Sequence, residues 1–260
     1  MNLKQYYQTK NDCYKAGKQI VVKGLMLHST GANNPKLSRY VGPDDGILGK
    51  NPNNNDWNRS GITKCVHGFI GKDKDGNVRT YQTLPWNYRG WHAGGKANDS
   101  YIGLEICEDD LKDPVYFKKA YVEAVEVYAF LANKFGLTEK NIIDHKEGHK
   151  LGIASNHGDV MHWFPKHGKS MDTFRNDVKY LLDVQYNKTK KPADVKVTVD
   201  TNATANPTKV VVKPVEKTIN QLAVEVIQGL HGSGRERMIS LGDKYSAVQQ
   251  EVNRLLRVVK

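Results

Sequence analysis

The sequence contains few cysteines. Only three of the 260 residues are cysteine, namely Cys13, Cys65 and Cys107, and no two of them form a Cys-x-x-Cys pair. An odd number without that spacing argues against a disulfide framework and against a cysteine-rich zinc site. We therefore expect Cys65 and Cys107, which lie in strand-like runs, to be small buried apolar residues.

Long apolar segments are also absent. No run approaches the ~18 residues of a membrane-spanning helix, and the polar N-terminal segment 1–18 lacks the apolar core of a secretory signal. These absences predict a protein that is made in the cytoplasm, without a signal peptide and without membrane insertion. A substrate outside the membrane would be reached only after release by another agent.

Positive charge is in excess, with a formal net charge of +11 at pH 7. A surface of this kind attracts anionic partners, which include nucleic acid, a membrane surface and an anionic cell-wall polymer. The alternative is that the charge serves solubility alone. No recognised nucleic-acid-binding motif accompanies the charge, so we expect no nucleic-acid partner.

The apolar pattern of the first two thirds of the chain alternates between strands and helices. Short apolar runs predict strands, and apolar residues at helical spacing predict two amphipathic helices. The predicted strands are 20–28, 65–70, 78–84 and 101–107, and the helices are 117–135 and 171–186. The pattern predicts an α+β (mixed α/β) fold, in which helices flank a central mixed β-sheet.

The composition changes after this region. Residues 187–217 are rich in Lys, Thr, Val and Pro, which is typical of a flexible linker, although the alternating valines also fit a short exposed strand. Residues 218–260 then show three short helical patterns, which predict a small three-helix bundle. The expected organisation is a domain at 1–186, a linker at 187–217 and a module at 218–260.

Histidines and acids are concentrated between Asn141 and Phe164, where four histidines occur. His145 directly follows a short apolar strand, Asp159 lies in the loop beyond it, and His28 ends the first strong strand. A catalytic zinc ion takes three protein ligands, and imidazole and carboxylate are both suitable. A single histidine is more often a packed or surface group. The three together fit a Zn²⁺ site made of two imidazoles and one carboxylate.

Four motifs resemble those of the zinc N-acetylmuramoyl-L-alanine amidases, in the same order. They are MLHST around His28, WHAG around His92, SYIGLEI around Glu105, and His145 followed by Asp159. The resemblance covers roughly residues 20–178. It implies that 1–186 is a zinc amidase domain with the fold that these enzymes share with peptidoglycan recognition proteins.

The resemblance also implies roles for individual residues. Glu105 stands where the family has its general base, against the alternative of a salt-bridged strand end. His157 replaces a lysine that stabilises the oxyanion in many relatives, and it either assists catalysis or is structural. The family lines its pocket with a residue like His92, beside which Trp91 stacks on substrate unless it belongs to the core. His67 is a further candidate for substrate contact.

The last module resembles the cell-wall-binding repeat of certain phage lysins, the CPL-7 or CW_7 type. The matching stretches are LAVEVIQGLHGSGRERMISLG and YSAVQQEVNRLL. Candidate wall contacts are Leu230, Arg237 and Tyr245. Arg237 has the geometry to bind a peptide carboxylate through two hydrogen bonds, whereas Leu230 and Tyr245 are equally suited to the core.

Together, the two resemblances imply a phage endolysin. Such an enzyme hydrolyses peptidoglycan with a zinc-activated water, at the amide bond between N-acetylmuramic acid and L-alanine, and its partner is bacterial peptidoglycan (muropeptides). The alternatives are a zinc peptidase that cuts within the stem peptide and a non-catalytic peptidoglycan-binding protein of the same fold. The sequence does not indicate an oligomeric state.

Overall fold

The structure is a computed structural model, and it describes residues 1–186, 217–231, 237, 241 and 244–257. The chain divides into two compact units, 1–193 and 194–260. Nearly all of the predicted linker and most of the predicted second helix of the C-terminal module lie outside the described residues. No described helix is long and apolar enough to cross a membrane.

A six-stranded sheet forms the centre of the first unit, with strand order β1-β4-β3-β5-β2-β6. Only β3 and β4 pair in antiparallel fashion, and the other neighbours are parallel. The strands are β1 (Leu3–Gln5), β2 (Gly24–Asn33), β3 (Gly68–Lys72), β4 (Val78–Gln82), β5 (Tyr101–Glu108) and β6 (Ile142–Asp144). This sheet and its helices confirm the predicted mixed α+β fold.

The helices of the first unit are α1 (Asp12–Ala16), α2 (Pro114–Lys134), α3 (His145–Lys150) and α4 (Met171–Leu181). Helix α2 begins where the Asp113 side chain accepts hydrogen bonds from two backbone N–H groups and proline occupies the first turn, a favoured start signal. The predicted helix at 171–186 is α-helical only to Leu181, and a π-helical turn follows at Leu182–Tyr186.

The two faces of the sheet carry different kinds of side chain. Leu25 and Leu27 of β2 and Leu104 of β5 lie in one buried cluster with the apolar side of α2. Because side chains alternate along a strand, Met26 and His28 face the opposite side. Helix α2 therefore covers one face, and the polar groups of the site are on the other.

Strand boundaries differ from the predictions by a few residues. Strand β2 starts at Gly24 rather than at Ile20, because Ile20 bonds to Asn87 outside the sheet. A Cβ atom on Gly24 would lie 2.3 Å from the ring of Tyr101 in the neighbouring strand. Similarly, β3 starts at Gly68, whereas Cys65 forms only an isolated bridge with Trp91.

The N-terminal segment is joined to the domain by a disulfide, which corrects our expectation from the odd number of cysteines. Cys13 on α1 is bonded to Cys65, with 6.4 Å between their Cα atoms, within the usual range for a disulfide. Cys107 is the buried free thiol. The number of cysteines says nothing about distance in space, and the fold brings two residues together that are 52 positions apart.

Reduction of this disulfide is expected to lower the free energy of unfolding by about 2–4 kcal/mol, because the bond restricts a long loop of the unfolded chain. Denaturation with and without a reductant measures the effect. The reductant should destabilise the Cys107→Ala control as much as the parent, and Cys13→Ala not at all. Equal destabilisation of Cys13→Ala would contradict the assignment.

Two helices of the second unit are described, α5 (Ile219–Ile227) and α6 (Tyr245–Arg257), close to the predicted bounds. The Thr218 and Gln221 side chains form a reciprocal cap at the start of α5, which satisfies exposed backbone donors. Among the described residues of this unit, the buried core is made by Leu222, Ala223, Val226, Leu241, Val248 and Val252.

Candidate metal centre

Parallel strand pairing brings the main site residues to one region of the sheet. In the register of β2 and β5, His28 lies opposite Glu105, and in that of β2 and β6, Leu27 lies opposite Asp144. His145 follows Asp144 directly and begins α3, where the Asp144 side chain accepts a hydrogen bond from the backbone N–H of Glu147. Three adjacent strands therefore present His28, Glu105 and His145 close together.

Asp159 completes this group from the loop after α3. Its Oδ2 atom lies 3.0 Å from His28 Nδ1, its Oδ1 atom lies 3.5 Å from His145 Nδ1, and the two Nδ1 atoms are 3.2 Å apart. Neighbouring ligands of a tetrahedral zinc ion, each about 2.0–2.1 Å from the metal, are roughly 3.3 Å apart. The three side chains therefore fit a zinc ion, and among the described residues they form the one such group.

The charge states of these residues suit a cation. Burial lowers the pKa of His28, although the neighbouring Asp159 partly offsets this effect. Burial alone would raise the pKa of Asp159, but the adjacent His145 and His28 rings outweigh it and hold this pKa well below its ordinary value. At neutral pH the site therefore offers an unprotonated imidazole and an ionised carboxylate, which are the metal-binding forms.

Glu105 is an incompletely bonded carboxyl group beside the candidate ligands. Its Oε2 atom is buried and has no hydrogen-bond partner in the protein. Burial raises its pKa well above the ordinary value, and the charges of Asp159 and Glu108 raise it further. Such an environment is typical of a carboxyl group that exchanges a proton during a reaction.

His92 is partly exposed and bonds to a candidate ligand. Its Nδ1 atom lies 2.9 Å from Nε2 of His28, and its Nε2 atom lies 3.1 Å from the backbone oxygen of Tyr101. Both ring nitrogens are therefore occupied by protein groups. Burial lowers the pKa of His92 well below its ordinary value, so the ring is neutral at pH 7.

His67 is 0% exposed, which leaves it no direct contact with a substrate in this conformation. Its Nδ1 atom accepts a hydrogen bond from the backbone N–H of Gly103, and its Nε2 atom lies 2.8 Å from the backbone oxygen of Tyr88. Its ring stacks on Trp86. These contacts identify His67 as a neutral interior residue.

His67 is expected to make stability dependent on pH. Burial lowers its pKa from 6.5 to about 4, so between these values the unfolded state binds a proton that the folded state does not. The contribution of His67 to the free energy of unfolding is therefore complete above pH ~6.5 and decreases as the pH falls toward ~4, by roughly 3 kcal/mol.

Denaturation of His67→Gln at pH 7 and pH 4.5 should show a weaker pH dependence than the parent. The exposed-residue control His149→Gln should behave as the parent, and an unchanged dependence in His67→Gln would contradict the assignment.

Trp91 is half-buried and lies against the cluster of Cys13, Cys65 and Leu84. Its backbone forms two hydrogen bonds with that of Cys65. The indole is partly exposed, and its stacking on a substrate stays a prediction.

His157 is exposed and stands beside a candidate ligand. Its Nδ1 atom lies 3.3 Å from Nε2 of His145 and 3.1 Å from Oγ of Ser155. Ser155 itself was not predicted from the sequence, although its hydroxyl also contacts His145. A lone serine in a loop carries no distinctive pattern, so only the folded arrangement reveals this contact.

The histidines without a matching motif lie outside the candidate ligand group. His149 is exposed on α3, His162 pairs with the buried Glu108 at 2.9 Å, and His167 stacks on Phe117. The Glu108–His162 pair holds the turn after Asp159 against the end of β5.

The candidate wall contacts of the second unit have different environments. Leu230 is 51% exposed, Arg237 donates a hydrogen bond to Oε1 of Gln249, and Tyr245 packs against the core of the unit. Leu230 is thus the apolar candidate that is available at the surface.

Comparison with known families agrees with this geometry. The pattern of the Amidase_2 family, described as N-acetylmuramoyl-L-alanine amidase, matches residues 17–162, which is more than half of the chain. The chain belongs to this amidase family. Residues 220–256 match the CW_7 repeat, as predicted.

Individual relatives are matched over shorter stretches of the chain. The chain is 39% identical over 73 residues to the N-acetylmuramoyl-L-alanine amidase XlyA of Bacillus subtilis (strain 168), covering 27% of this chain and 24% of that protein. It is 37% identical over 70 residues to the amidase CwlA of a Bacillus species, covering 25% and 28%. The matches thus span about a quarter of the length of these relatives.

A solved structure shows the same fold. The hydrolase AmiA of Staphylococcus aureus, in complex with its ligand, superposes with a TM-score of 0.52 and 17% sequence identity, over 72% of this chain and 86% of that one. At this identity the likeness concerns the fold alone. The assignment of candidate metal ligands in this chain therefore rests on its own geometry.

Proposed function

We propose that this chain is an endolysin-type peptidoglycan hydrolase that cleaves the amide bond between N-acetylmuramic acid and L-alanine. The observation that carries the proposal is the convergence of His28 Nδ1, His145 Nδ1 and an Asp159 oxygen at 3.0–3.5 Å from one another. These residues would hold a zinc ion. When bound, the ion supplies Lewis-acid activation of the scissile carbonyl and of the attacking water.

Glu105 is proposed as the general base. It lies opposite His28 in the sheet and has a buried oxygen without a protein partner. A carboxylate in this position removes a proton from the attacking water and delivers it to the departing amine. The raised pKa of Glu105 favours retention of the proton between these two transfers.

His157 is proposed to stabilise the oxyanion. It is exposed beside His145, where an approaching substrate can contact its ring. A protonated imidazole can donate a hydrogen bond to the developing negative charge, in place of the lysine found in many relatives. Trp91 is proposed to stack on the substrate with its exposed side.

Fragment analysis tests the cleaved bond. Purified walls are digested, and the products are examined by amino-group labelling and mass spectrometry. An amidase releases stem peptides with new L-alanine amino termini and leaves glycan strands without peptide. Products in which L-alanine remains on muramic acid would contradict the proposal and indicate a peptidase within the stem. Binding without any product would indicate a non-catalytic protein.

We propose that residues 218–260 hold the enzyme on the wall, with residues 187–217 as the linker from the domain at 1–186. Joining two weak sites raises the effective concentration of one at the other. The net charge of +11 adds attraction to anionic wall polymers, which salt weakens. The surface position of Leu230 and the guanidinium of Arg237 support contact through this module.

Deletion of Thr218–Lys260 is therefore expected to reduce the fraction of protein that sediments with purified walls by about tenfold or more, since it removes the second site. Hydrolysis of a small soluble muropeptide should be unchanged, because the candidate metal centre belongs to the other compact unit. Full sedimentation of the truncated chain would contradict wall binding by the module.

A further inference from the structure

His28 and His145 each have a second ring nitrogen, directed away from Asp159. Nε2 of His28 lies 2.9 Å from Nδ1 of His92, and Nε2 of His92 lies 3.1 Å from the backbone oxygen of Tyr101. A backbone oxygen only accepts hydrogen bonds. His92 therefore carries its proton on Nε2, and its unprotonated Nδ1 accepts the Nε2–H of His28.

His145 has a corresponding partner. Its Nε2 atom lies 3.1 Å from Oγ of Ser155, and that hydroxyl donates to the backbone oxygen of Ala93 at 3.2 Å. A hydroxyl that donates in one direction still accepts in the other. The Nε2–H of His145 can therefore donate to Ser155, and this second pathway also ends at a backbone oxygen.

Both pathways leave the two Nδ1 atoms without protons. Those atoms face each other at 3.2 Å and face the Asp159 carboxylate at 3.0 and 3.5 Å. Three electron-pair donors at such distances, with no proton between them, repel one another unless a cation lies among them. The hydrogen bonds at the two Nε2 atoms and the close spacing of the Nδ1 atoms and the carboxylate therefore both indicate a cation site.

We propose that His92 and Ser155 are positioning residues that hold His28 and His145 as Nε2–H tautomers, with both Nδ1 atoms available to a zinc ion. This inference rests on the proposed metal site. Hydrogen bonds behind a metal-binding imidazole fix its tautomer and its ring orientation. In this chain, two adjacent residues of the WHAG motif support the two histidines. His92 accepts the hydrogen bond from His28, and the backbone oxygen of Ala93 accepts from the Ser155 hydroxyl that contacts His145.

Two glycines make room for these contacts. A Cβ atom on Gly103 would lie 2.5 Å from Nδ1 of His92, and a Cβ atom on Gly94 would lie 2.6 Å from Oγ of Ser155. Gly94 also has a φ angle of +63°, which disfavours other residues. The glycine of SYIGLEI and the first glycine after WHA therefore allow the two positioning side chains to approach.

The tautomers can be observed directly. The full chain is labelled with ¹⁵N-histidine and loaded with zinc, and imidazole N–H correlations are recorded by NMR. The proposal predicts that His28, His92 and His145 each carry a proton on Nε2 and none on Nδ1. A proton on Nδ1 of His28 or His92, or zinc bound through Nε2 of either candidate ligand, would overturn it.

Zinc affinity supplies a second readout, measured by competition with a chelator on the full chain. His92→Phe and Ser155→Ala are each expected to weaken zinc binding by about 10- to 100-fold. His92→Gln, which keeps an acceptor and a donor, and Ser155→Thr, which keeps the hydroxyl, should restore most of the affinity. His149→Ala is the control and should bind zinc as the parent does.

These outcomes separate the inference from the proposed function. Parental zinc affinity in His92→Phe and Ser155→Ala would overturn the inference even if the enzyme cleaves walls. The predicted tautomers together with zinc binding but no cleavage would leave the inference intact and refute the amidase function. If a variant fails to fold, the NMR measurement on the unsubstituted chain still decides.

Discussion

The substitution His145→Ala is expected to lower the rate of amide cleavage in purified walls by about 10³-fold or more. His145 supplies one of three converging ligand atoms, and its loss leaves too few protein ligands for a catalytic zinc ion. Lewis-acid activation contributes several kcal/mol to transition-state stabilisation, and each 1.36 kcal/mol corresponds to about tenfold in rate. New L-alanine amino termini, measured over time, give the rate.

Helix α3 offers a matched control. His149 lies on the same short helix, is exposed and has no place in the candidate ligand group. His149→Ala should retain the parental rate. Chelation of the parent should reproduce the loss seen in His145→Ala, and zinc should restore the chelated parent but not the variant. A parental rate in His145→Ala, or in the chelated enzyme, would refute the role of the metal.

Glu105→Gln is expected to lower kcat by about 10²- to 10⁴-fold, which is the usual contribution of a general base. Glutamine occupies nearly the same volume and remains polar, but it cannot take up a proton. Zinc affinity and the fraction of protein bound to walls should stay close to the parent. This combination distinguishes a lost proton transfer from a damaged site.

The same substitution elsewhere in the domain provides the comparison. Glu139 belongs to a short 3₁₀-helix before β6, away from the candidate ligands, and Glu139→Gln should retain the parental rate. Glu105→Gln that keeps more than a third of the parental kcat would remove Glu105 from the mechanism. Loss of zinc together with activity would instead indicate that Glu105 supports the site structurally.

The central elements of the fold could be predicted because their signals are local. Apolar strand runs and the helical spacing of α2 depend on residues close in sequence. His28 and His145 were identifiable because each lies at the end of an apolar run. The corresponding ends of adjacent parallel strands lie close together, so the two histidines are neighbours in space. Strand ends were less accurate, as at Gly24, because the first hydrogen bond of a strand depends on its partner.

Contacts between distant segments could not be predicted in the same way. The Cys13–Cys65 disulfide forms because the fold places α1 beside Cys65, which lies 52 positions after Cys13 in the chain. His67 was a candidate for substrate contact but is 0% exposed, because the alternation that assigns a residue to one face of a strand does not show which segments cover that face. Ser155 acts through one hydroxyl in a loop, where sequence periodicity carries no information.

Anomalous diffraction at the zinc absorption edge tests the metal site most directly. Crystals of the full chain, grown with one equivalent of zinc, should show a strong peak about 2 Å from His28 Nδ1, His145 Nδ1 and an Asp159 oxygen. Absence of a peak there, or a peak held by other side chains, would contradict the account.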